Sequence, residues 1–146
     1  AYTASAVGAM MVSGWLIDRF GAGRLAGVYL LPLAAGYAVF ALAPGIPAGV
    51  LALVLIGVSV GIHNTMASAF WAEYYGTAHI GAIRAATGAA MVLGSAIGPA
   101  ITGALIDRGI NFPAQSLAIA AYFAGSGLLA GLGAARATRH LDMASA

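Results

Sequence analysis

The chain has no cysteine and no lysine, and only 7% of its 146 residues carry a charge. Without cysteine, neither a disulfide nor a thiolate-held metal is available. Soluble domains carry about 25% charged residues, so a water-facing surface of ordinary composition is excluded. The six arginines against four acids do not form a basic face interleaved with aromatics, which leaves no footprint for nucleic acid. His63, His79 and His140 lie in different regions and make a poor metal site. No H-E-x-x-H, nucleophile elbow or G-x-x-x-x-G-K loop occurs. An enzyme is not expected, and neither is a cofactor.

What is present is apolar surface. The chain is 62% hydrophobic with a mean hydropathy of +0.95. Folded in water, it would expose apolar patches that monomeric proteins avoid. Glycine is plentiful, with 21 residues. That suits membrane helices, where small residues let backbones approach closely.

Five apolar runs can be read: about 1–17, 25–43, 48–70, 82–106 and 113–135. A span needs about 20 such residues. Unpaired amides are not tolerated in lipid, so the spans are expected to be helices. The first run is slightly short and reads as a helix entered part-way along. Pro44, Gly45 and Pro47 punctuate the second break, and Gly109 marks a helix end. The expected fold is all-α, a polytopic membrane protein with five transmembrane helices and a polar tail at 136–146.

Breaks alternate between the two sides of a membrane. One side receives Arg19, Arg24, Arg84, Arg136 and Arg139, and the other receives Arg108. Positive residues stay cytoplasmic. The first break, the third break and the tail are therefore expected inside.

The most specific local pattern is G-x-x-x-D-R-x-G-x-x-R, set by Gly14, Asp18, Arg19, Gly21 and Arg24. It joins two apolar runs and resembles the loop signature between the eighth and ninth helices of the major facilitator superfamily of secondary transporters. It departs from that pattern at Gly23, where the family often has a basic residue. The stretch 72–76, then Gly81 to Arg84, Gly98-Pro99 and Gly103, is similar to the tenth and eleventh helices of bacterial members. The resemblance covers nearly the whole chain.

The resemblance implies the C-terminal half of a twelve-helix carrier, cut from a longer polypeptide whose N-terminal half is missing here. The implied activity is alternating-access transport of a small solute, with a monocarboxylate as one option. A proton or an exchanged counter-anion would be coupled to it. The implied location is a bacterial inner membrane with the C-terminus cytoplasmic. A small membrane subunit or an oligomeric channel is the alternative.

Within a span, His63, Asn64 and Thr65 form the one strongly polar cluster. Polar groups at membrane depth usually face a cavity or a partner helix. They are the expected substrate-binding residues, with an interhelical hydrogen bond as the plainer reading. Gly14, Asp18, Arg19, Gly21, Arg24, Glu73 and Arg84 are assigned to the signature loop and a cytoplasmic gate. Glu73 is expected either to pair with Arg19 or Arg24 or to stand as a solvated interfacial carboxylate. Gly94 and Gly98 share a helix face and permit close packing, while Pro99 would bend the helix. Gly57 with Gly61, and Gly127 with Gly131, have the same spacing. Tyr29 reads as an interfacial anchor and Gln115 as a capping residue.

Overall fold

The computed structural model describes residues 1–21, 25, 27–76 and 78–144, with side chains described except at 68, 72–75 and 134–144. Among these residues the regular structure is entirely helical: α1 (Tyr2–Phe20), α2 (Leu30–Leu42), α3 (Ile46–Tyr75), α4 (Ile80–Asp107) and α5 (Phe112–Ala144). Three segments are long and apolar enough to cross a membrane: Ile46–Trp71, Ile80–Asp107 and Phe112–Gly133. The other two expected spans fall short of that pattern. α2 has 13 residues, about 20 Å of helix, against a hydrocarbon core of about 30 Å. Just before it, the Tyr29 N–H donates to the Leu25 carbonyl at 3.0 Å. α1 has the length, but Asp18 and Arg19 occupy its last turn and Tyr2, Thr3 and Ser5 its first.

The helix ends follow local chemistry. α1 stops at Gly21, whose φ of 79° is open to glycine and whose N–H donates to Ile17 at 2.8 Å. α3 runs five residues beyond the expected end of the third run at 70, because nothing in residues 71–75 breaks a helix, and it ends before Gly76. Pro47 and Pro113 are each the second residue of a helix, where the missing N–H costs nothing. α4 closes in a Schellman motif. Ile110 N–H donates to Leu105 and Gly109 N–H to Ile106, with Gly109 at φ 83°. Asn111 Oδ1 accepts from Ala114 N–H at 3.0 Å and caps α5. Gln115 is buried and donates to the Ile110 carbonyl, in the connection between α4 and α5, at 2.9 Å. The expected tail begins as a continuation of α5, which carries no Gly or Pro beyond Gly133.

α3 is the centre of the bundle. α1 packs along it on one flank and α2 on another, and α5 packs against α2. Small residues set how closely these helices sit. A Cβ added at Gly61 would meet the Ala6 carbonyl and come within 2.8 Å of Ala9 Cβ, and one at Gly57 would run into Ser5 and Tyr2 of α1. A Cβ on Gly27 would lie 2.6 Å from Gly131 Cα of α5. The glycine spacings at 57/61 and 127/131 are thus real helix contacts.

α4 is different. It makes few contacts with α3 or α5, and none of its residues is buried. Gly94 and Gly98 look onto open space among the described residues, so the close packing expected of them is not found. The helix passes unbroken through Pro99. Met91, Leu93 and Ile97 are all more than half exposed. Such a surface suits a bilayer or another protein face and not water.

Candidate functional site

The stretch of α3 from His63 to Phe70 presents His63, Met66, Ala67 and Phe70 at steps of three, four and seven residues, one helix face. α4 repeats the same steps with Arg84, Thr87, Gly88 and Met91. These two stripes line one cavity of about 530 Å³, together with Tyr29, Trp71 and Ala130 of α5. Ligand pockets commonly enclose about 300–1,000 Å³.

Met66 anchors the inner wall. It is 5% exposed and packs with Ile17 of α1, Leu25, Tyr29, Ala69 and Phe70. Tyr29 is held from two sides. Its ring stacks on His63 with centroids 5.6 Å apart and planes at 30°. Its backbone carbonyl accepts the Ser59 hydroxyl. Ser59 therefore fastens α3 to the turn before α2 instead of bonding its own helix. Other hydroxyls do bond back along their helix. Thr65 donates to Gly61 at 3.4 Å, and Thr87 to Ile83 at 2.9 Å. This is how a hydroxyl is satisfied where water is scarce.

Of the expected substrate residues, His63 lines the cavity, whereas Asn64 and Thr65 do not. On a helix, consecutive residues point in different directions, so one face takes His63 and the others turn away. Arg84, expected at a gate, lines the same cavity as His63. Asp18 and Arg19 are exposed at the end of α1 and take no part in the wall. Arg19 lies over the Trp15 ring at 5.5 Å. Gly14 is half-buried in α1 and Gly21 ends that helix. Arg24 and the Glu73 side chain lie outside the described residues, and with them the pairing expected of Glu73.

Tyr29, Met66, Thr87 and Met91 were not among the expected site residues. The signal for Met66, Thr87 and Met91 was in the sequence, because each falls one or two helical turns from His63 or Arg84 on the same face. Tyr29 had no such signal, since only folding brings it beside α3. Comparison with family models, with characterised proteins and with solved structures found no match for this chain.

Proposed function

We propose that the chain is the C-terminal half of a secondary transporter of the major facilitator type, and that the cavity between α3 and α4 is its part of the solute pathway. One observation carries this. A cavity of ligand size is walled by two helices of membrane-spanning length, and its polar groups include His63 and Arg84. Ionisable side chains in such helices are costly and are typically kept for substrates, ions or proton relays. The loop pattern at Gly14, Asp18, Arg19, Gly21 and Arg24 supports the same reading from the sequence. In it, five helices cross the membrane, and α1 and α2 do so with help from the segments beside them. An imidazole can both take up and give a proton, so His63 is the residue assigned to a coupled proton. Asp18, Arg19, Arg24 and Glu73 are assigned to the cytoplasmic face. Substrate would lie between this half and an N-terminal half of the same polypeptide, as in other carriers built from repeats.

The test has two parts. The reading frame upstream of the Ala1 codon is sequenced, and its full product is reconstituted in proteoliposomes. Seven further apolar spans and saturable solute uptake are expected. His63→Ala should lower uptake by about a hundredfold or more, the scale of a lost proton-transfer group. A start codon beside Ala1, or uptake indifferent to His63, would remove this reading in favour of a small membrane subunit.

A further inference from the structure

Two polar side chains of the cavity wall are left without hydrogen-bond partners by the chain itself. The Thr87 hydroxyl gives its proton to its own helix, and Arg84 has a partner of its own. His63 stacks on Tyr29, but its ring nitrogens and the Tyr29 hydroxyl meet no hydrogen-bond partner among the described residues. A neutral imidazole offers one N–H and one bare nitrogen, and a phenol can both give and take. A hydroxyl answers both, since it also gives one hydrogen bond and takes others.

Depth disfavours charge. His63 stands about 18 Å of helix from the end of α3 at Tyr75, and Met91 about 16 Å from the start of α4 at Ile80. Both helices contain a segment of membrane-spanning length, so a solute group that reaches His63 is far from water. An ion is costly there, whereas a neutral group is tolerated once it is hydrogen-bonded. The rest of the wall is aromatic and thioether. The Phe70 and Trp71 rings meet edge to face at 5.5 Å, and Met91 lines the same cavity from α4. Ring edges and a polarisable sulfur both favour an aryl body over a saturated one.

From this arrangement we infer that the site takes an uncharged aryl solute bearing a hydroxyl: the hydroxyl on His63 and Tyr29, the ring against Phe70, Trp71 and Met91. The inference rests on the proposed transport reading for what the site is for, and on the cavity alone for what it takes.

The chain offers its own reporter. It has two tryptophans, Trp15 exposed on α1 and Trp71 in the cavity wall. Trp15→Phe leaves Trp71 as the only indole. In phosphatidylcholine nanodiscs, 3-phenylpropanol should change Trp71 emission saturably. Its methyl ether lacks the donor and should bind about tenfold more weakly. 3-Phenylpropionate brings a charge to the same depth and should also bind about tenfold more weakly. 3-Cyclohexylpropanol lacks the ring electrons and should bind roughly fivefold more weakly. The ether and the cyclohexyl compound enter lipid more readily than the parent alcohol, so partition into the bilayer would rank them the other way. His63→Phe keeps a ring against Tyr29 and removes both nitrogens, and it should erase the preference for alcohol over ether.

Equal binding of alcohol and ether with His63 intact would overturn the inference, with no change made at the site. So would the acid binding as tightly as the alcohol, or an alcohol preference that survives His63→Phe. Emission changes that never saturate and follow lipid solubility would give the signal to the bilayer, and would also overturn it. Saturable uptake of some other solute by the full reading frame, with no alcohol preference here, would spare transport and end this inference. Alcohol preference without uptake would do the reverse.

Discussion

At the scale of single residues, the chain handles its hydroxyls with care because few partners are at hand. Ser13, Thr65, Thr87 and Ser95 each donate to a carbonyl of their own helix. Ser116 is the exception: it is fully buried at the start of α5, and its Oγ finds no partner among the described residues. An unmet buried hydroxyl costs about 1–3 kcal/mol. Ser116→Ala should therefore raise the thermal midpoint in detergent, and a lowered midpoint would show that the hydroxyl does have a partner. The site is legible at this scale only in part. His63 and Arg84 stand out as ionisable residues in apolar runs, and both reach the cavity. Asn64 stood out equally and does not reach it. Polarity alone marks a position as unusual, and the helical phase decides which way it faces.

At the scale of helices, one spacing has two outcomes. Gly57 with Gly61, and Gly94 with Gly98, are both four residues apart in apolar helices. The first pair lets α1 approach α3, and the second meets open space. Gly61→Leu should push α1 off α3 and cost about 1–3 kcal/mol, the usual range for overpacking. Gly94→Ala has nothing to collide with and should gain several tenths of a kcal/mol, up to about 1, from helix propensity. Thermal melts of the two variants check both directions, and similar losses in each would mean that α4 packs as α3 does. The pattern could not separate these cases from sequence, because close approach needs a second helix at the right place. The end of α4 was legible, because Gly109 marks it in the sequence. The end of α3 was not: the third apolar run stops at 70, and the helix goes on to Tyr75 before Gly76 ends it.

At the scale of the molecule, the arginine distribution makes a topological claim that the absence of cysteine renders testable. Any cysteine introduced is the only one. In inside-out and right-side-out vesicles, Arg19→Cys and Ala78→Cys should react with an impermeant maleimide from the cytoplasmic side. Ala43→Cys and Asn111→Cys should react from the other side. Labelling of Ala43 and Ala78 from the same face would show that α3 does not cross. The helical class and the three longest apolar segments were legible because hydrophobic length is written directly in the chain. The sequence also reads two further spans, and there α2 is short and α1 begins and ends with polar groups.

The cavity has one wall built into the bundle and one wall outside it. α3 is gripped by α1 and α2, whereas α4 hangs between Gly76 at φ 69° and Gly109 at φ 83° and packs along neither neighbour. The permanent charge of the site rides on this second wall. In the proposed transport reading, a solute seated in this cavity must therefore hold a whole helix in place to be bound well. Part of its attraction is spent on docking that helix, so measured affinity will understate the strength of the contacts. Anything else that docks α4 first will make the same solute bind more tightly with no change in a single lining residue.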